Sequence, residues 1–78
     1  MSQLDQAIHY TICIEGAIDD AFASWFGPIQ IEPGRDAQGQ PMTRLSGEVA
    51  DQAALVGLVR HLHGLGIVLL SVDRTKKE

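Results

Sequence analysis

DQAALVGLVRHLHGLGIVLLSVD, residues Asp51–Asp73, is the stretch whose reading decides the fold. Leu55, Leu58, Val59 and Leu62 recur at i, i+3, i+4 and i+7, which gathers them into a single apolar stripe along a helix. Asp51 precedes that stripe, and its side chain can accept hydrogen bonds from the first free backbone N–H groups. Gly66 is the expected stop, because glycine takes up the left-handed backbone that ends many helices. Beyond it Ile67–Asp73, IVLLSVD, is rich in branched side chains and reads as a strand. Strict alternation points Val68, Leu70 and Val72 toward the helix side and Ile67, Leu69 and Ser71 away from it. A last strand apolar on both faces normally has cover on both faces.

Upstream, IHYTICI alternates in the same way, with Ile8, Tyr10, Ile12 and Ile14 on one side and His9, Thr11 and Cys13 on the other. Glu15-Gly16 interrupts this strand. Asp19 is then placed to cap a short helix carrying Phe22, Trp25 and Phe26, which Gly27-Pro28 ends. Pro28–Glu32 is a short strand with Ile29 and Ile31 on one face. Pro33–Pro41 reads as a mobile polar turn region rich in glycine and proline. It leads into a strand over Met42–Val49, where Thr43, Leu45 and Gly47 oppose Arg44, Ser46 and Glu48. The order strand, helix, strand, strand, helix, strand predicts an α+β chain, a ferredoxin-like split βαββαβ sandwich. Its four-stranded antiparallel sheet would carry two helices on one face. A single domain over residues 1–78, with an ordered core at about 7–73, is expected.

The 78 residues can organise one small core, so extra stabilisation is expected from outside it. Cys13 is the only cysteine, which excludes an internal disulfide and a four-cysteine zinc site and leaves self-association as the favoured supplement. MSQLDQAIHY has no basic segment followed by an apolar run, and no stretch approaches the length of a membrane span, so a soluble cytoplasmic protein without a membrane partner is expected. Ten acidic residues against six basic ones give a net charge of -4, which argues against a nucleic-acid partner. The one basic cluster, Arg74, Lys76 and Lys77, reads as a solvated end.

Candidate chemistries thin out on inspection. His61 and His63 leave a helix about 200° apart and cannot grip one ion together; they flank the stripe as boundary residues. His9 and Cys13 share a strand face but stand roughly 13 Å apart, too far for one metal without another chain. Cys13 lies mid-strand with no evident base, which is the setting of a structural thiol. Asp19 and Asp20 are explained by their place at a helix start. Gly34, Gly39, Gly64 and Gly66 fit no phosphate-cradling pattern, and the one strand aromatic, Tyr10, faces the helices rather than offering a base-stacking surface. No catalytic residue, metal ligand or cofactor is expected.

GAIDDAFASWFG, followed by SGEVADQAALVGLVRHLHGLGIVLLSV, resembles a group of short, uncharacterised bacterial proteins. These carry a Trp-Phe pair, here Trp25-Phe26, and a DQAxLxGLxxxLxxLGxxLLSV-type ending, here Asp51–Val72. The resemblance spans most of the chain and implies a fold without implying an activity.

The residues therefore point to a non-catalytic interaction or accessory module that forms a homodimer. Its expected interface is the sheet's open face, with His9, Thr11, Cys13, Arg44, Ile67 and Leu69. The alternative is a regulatory domain like the ACT group, binding a small metabolite at the turn of Glu15, Gly16, Asp19 and Asp20. A small dimeric enzyme with a pocket between sheet and helices is a third, weaker reading, and both alternatives rest on fold analogy.

Overall fold

The computed structural model describes residues 7–18 and 29–75. In chain order these form β1 (Ile8–Glu15), β2 (Ile29–Arg35), β3 (Pro41–Val49), α1 (Gln52–Gly64) and β4 (Leu69–Thr75). The strands make one sheet in the order β2-β3-β1-β4. Every neighbouring pair is antiparallel, so β3 and β4 run parallel to each other with β1 between them. The connection from β3 to β4 passes through α1, which packs on β1 and β3.

This corrects the two-helix ferredoxin-like βαββαβ expectation. The described residues form a four-stranded antiparallel sheet with one helix. The expected first helix rested on Asp19, Phe22, Trp25 and Phe26, which lie outside the described residues together with Asp20, Gly27 and Pro28. Lys76 and Lys77 of the basic tail lie outside them as well.

The alternation of β1 has its expected consequence. Ile8, Tyr10, Ile12 and Ile14 are all buried, whereas His9, Thr11 and Cys13 are half-buried on the opposite face. Tyr10, Ile12 and Ile14 meet Leu45 of β3 and Leu58 and Leu62 of α1 in one cluster, with Leu55 and Val59 packed at its margin. The helical stripe is therefore the element that closes the sheet's apolar face. Each aliphatic side chain taken out of water this way contributes about 1.5–3 kcal/mol. Besides the phenol of Tyr10, Thr43 is the one buried polar side chain among the described residues. Its hydroxyl donates to the Gly16 carbonyl at 2.7 Å, so the group is paired rather than orphaned.

Both ends of α1 follow from side-chain and backbone chemistry. Asp51 Oδ1 accepts from the Ala54 N–H at 2.9 Å, as an N-cap should. At the other end Gly66 has φ +81°, the Gly66 N–H donates to His63 O at 3.0 Å and the Ile67 N–H donates to Leu62 O at 3.2 Å. These two bonds are those of a Schellman motif, which ties the residue after the glycine back to the last turn.

The expected mobile loop between the second and third strands is corrected to a hairpin. β2 continues through Pro33, Gly34 and Arg35, with Arg35 opposite Pro41, so only Asp36–Gln40 connects the strands. Asp36 organises that turn, since its Oδ1 accepts from both the Gln38 and Gln40 N–H groups at 2.9 Å. Arg35 Nη1 also donates to the Gly39 carbonyl at 2.8 Å. Pro33 is tolerated inside a strand because β2 is an edge among the described residues.

Candidate functional site

The phase of β4 is set by the helix stop, and it differs from the expected alternation. The Schellman motif turns Ile67 inward, and both Ile67 and Leu69 pack against the core cluster. Leu69 then lies opposite Ile14, but Ser71 lies opposite Cys13, the residue just before Ile14. Leu70 is the extra residue of a β-bulge. After the bulge Val72 lies opposite Ile12 and so shares the helix-side face. Ile67 and Leu69 are therefore placed with the core rather than beside Cys13. Val68 and Leu70 replace them as exposed aliphatics at 51% and 44%, and Val72 is 42% exposed. Strict alternation had put Val68 and Leu70 on the helix side; one inserted residue reverses that assignment.

The open face is ordered in cross-strand rows. Thr75, His9 and Glu48 stand side by side across β4, β1 and β3. Asp73, Thr11, Ser46 and Gln30 form the next row, and Ser71, Cys13, Arg44 and Glu32 the third. The structure thus places His9, Thr11, Cys13 and Arg44 together on this face. His9 Nε2 lies 2.5 Å from Glu48 Oε2; the nitrogen is closed off from water, yet it is not aligned for a hydrogen bond. With His9 one-third exposed and Glu48 nearly half exposed, the pair contributes little, on the order of 0–1 kcal/mol. Glu32 lies directly opposite Arg44, a pair of unlike charges, and Ser46 Oγ meets Gln30 Oε1 at 3.4 Å.

A shallow depression of about 770 Å³ lies over the first two rows, lined by His9, Thr11, Gln30, Ser46, Glu48 and Thr75. Its lining is neutral apart from one imidazole and one carboxylate. Among the described residues no group of three histidine, cysteine or acidic side chains is close enough to hold a metal ion. Cys13 is a free thiol, half-buried between Arg44 and Ser71 in its row. His61 and His63 sit in the last turn of α1. Burial pushes the Tyr10 phenol up from its usual value of 10.0.

The turn expected for an ACT-like ligand is only partly described. The Glu15 N–H donates to Val68 O and the Gly16 N–H to Pro41 O, both at 2.9 Å. Gly16 has φ +83°, and its carbonyl accepts from Thr43. Those two N–H groups are thus engaged by the protein itself, and Asp19 and Asp20 lie outside the described residues.

A known family spans nearly all of this architecture, from His9 in β1 to Asp73 in β4: its sequence pattern matches residues 9–73. The chain belongs to DUF8691, a domain of unknown function. No curated relative matches the DUF8691 chain, and no solved structure does. No helix among its described residues is long and apolar enough to cross a membrane.

Proposed function

We propose that this DUF8691 domain is a non-catalytic interaction module of the cytoplasm that works as a homodimer. The observation that carries the reading is β4: an edge strand among the described residues, with aliphatic side chains exposed on both of its faces. An unpaired edge offers a row of backbone donors and acceptors to another strand, and Val68, Leu70 and Val72 add apolar surface along it. A domain this small gains stability from covering such surface. The open face further inward is less suited to meeting its own copy, since Glu32, Glu48 and Asp73 outnumber Arg44 and would face like charges.

An ACT-like metabolite-binding role draws weaker support, because the two described N–H groups at its expected turn already have partners. Static light scattering on a dilution series from tens of micromolar downward tests the main reading, with a dimer mass at the upper end expected. A monomer mass throughout, together with a thermal midpoint raised by amino acids, would transfer the support to ligand binding.

A further inference from the structure

We propose that β4 pairs with β4 of a second copy, antiparallel and centred on Val72, to make a continuous eight-stranded sheet. This rests on the self-association reading and specifies its surface and register. The sheet of the described residues has two edges, β2 and β4. β2 is blunted by Pro33 and Gly34 inside it, which discourage strand addition. β4 contains neither proline nor glycine, and its first four residues are Leu69, Leu70, Ser71 and Val72. β4 is therefore the better edge to accept a strand, along the regular stretch that follows its bulge at Leu70.

Symmetry and charge then select among the registers centred inside β4, from Leu70 to Arg74, which keep strand on both sides of the axis. Two identical edges closing on each other are related by a two-fold axis, which makes the strands antiparallel and places like faces together. Directly opposed residues must share a face, so the axis falls at a residue. Centred on Asp73 it sets two carboxylates against each other, and centred on Arg74 two guanidinium groups, both unfavourable. Centred on Leu70 or Ser71 it falls in the bulge, where the ladder is interrupted. Centred on Val72 it covers that valine with its own copy and sets Ser71 opposite Asp73 of the second copy.

Cysteine cross-linking in a Cys13→Ser background tests this register. Directly opposed Cα atoms in antiparallel strands are about 4.5–5.5 Å apart, within the range a disulfide spans. A pair of Ser71 positions would be offset by about 6.6 Å along the strands as well as across them, which is beyond that range. In a glutathione redox buffer Val72→Cys should convert to covalent dimer while Ser71→Cys stays largely without the cross-link. In the otherwise native chain, Val72→Lys should keep the circular dichroism of the fold and raise the dimer dissociation constant about tenfold or more. If light scattering shows a dimer but Val72→Cys does not cross-link, or cross-links no better than Ser71→Cys, the register is overturned and self-association stands. If the native chain is monomeric, both are overturned.

Discussion

The backbone N–H of Ile67 donates to the Leu62 carbonyl at 3.2 Å, and the two side chains meet in the same apolar core. That one relationship carries the end of the helix into the start of the last strand. It decides which residues of IVLLSV are buried, and therefore which are left for a partner.

The relationship depends on Gly66, whose φ of +81° a side chain resists. Gly66→Ala should cost about 1–2 kcal/mol, read as a lower urea midpoint at unchanged slope. Gly57 provides the control. A Cβ there would meet open space, so Gly57→Ala should raise stability by up to about 1 kcal/mol while the dimer persists. Loss of the dimer in Gly57→Ala would instead show that the bare backbone of α1 is used for close approach.

Thr43 joins β3 to the turn after β1 through its bond to the Gly16 carbonyl. Thr43→Val preserves the shape of the side chain and removes the donor, leaving that carbonyl without its partner. A loss of about 1 kcal/mol in chemical denaturation is expected, with Thr43→Ser retaining most of the stability. An unchanged midpoint for Thr43→Val would mean that water replaces the hydroxyl freely.

Tyr10 supplies a pH dependence whose sign is fixed. Its phenol ionises at higher pH in the folded chain than in the unfolded one, so between those two values the unfolded state holds fewer protons. The stabilisation linked to Tyr10 is fully present below pH 10.0 and is lost as pH rises through the folded value. Unfolding measured from pH 8 to pH 11 should therefore fall more steeply in the native chain than in Tyr10→Phe. Parallel curves would remove Tyr10 as the source.

Much of this fold is legible in the sequence, and the departures have local causes. The alternation of Ile8–Ile14 and the stripe of Leu55, Leu58, Val59 and Leu62 identify the core correctly, because regular periodicity maps directly onto a buried face. Asp51 and Gly66 mark the helix ends for the same reason, their chemistry being local. The faces of β4 were not legible. A bulge is a property of pairing with β1, and nothing in the run of aliphatics says that Leu70 is the extra residue. The hairpin is hidden in the sequence because proline and glycine signal a turn. On an edge strand Pro33 and Gly34 can instead remain in the ladder, while Asp36 holds the tighter turn beyond them. Of the candidate surface, the row residues His9, Thr11, Cys13 and Arg44 followed from alternation, whereas the edge that the proposed dimer uses emerged only with the strand order.

The central claim, that β4 is an edge used by a second copy, is tested most directly by amide hydrogen exchange on the same chain at high and low concentration. The outward-facing amides of β4 should exchange slowly when the chain is concentrated and rapidly when it is dilute, while those of β2 exchange alike in both. Exchange in β4 that is rapid and independent of concentration would contradict the account.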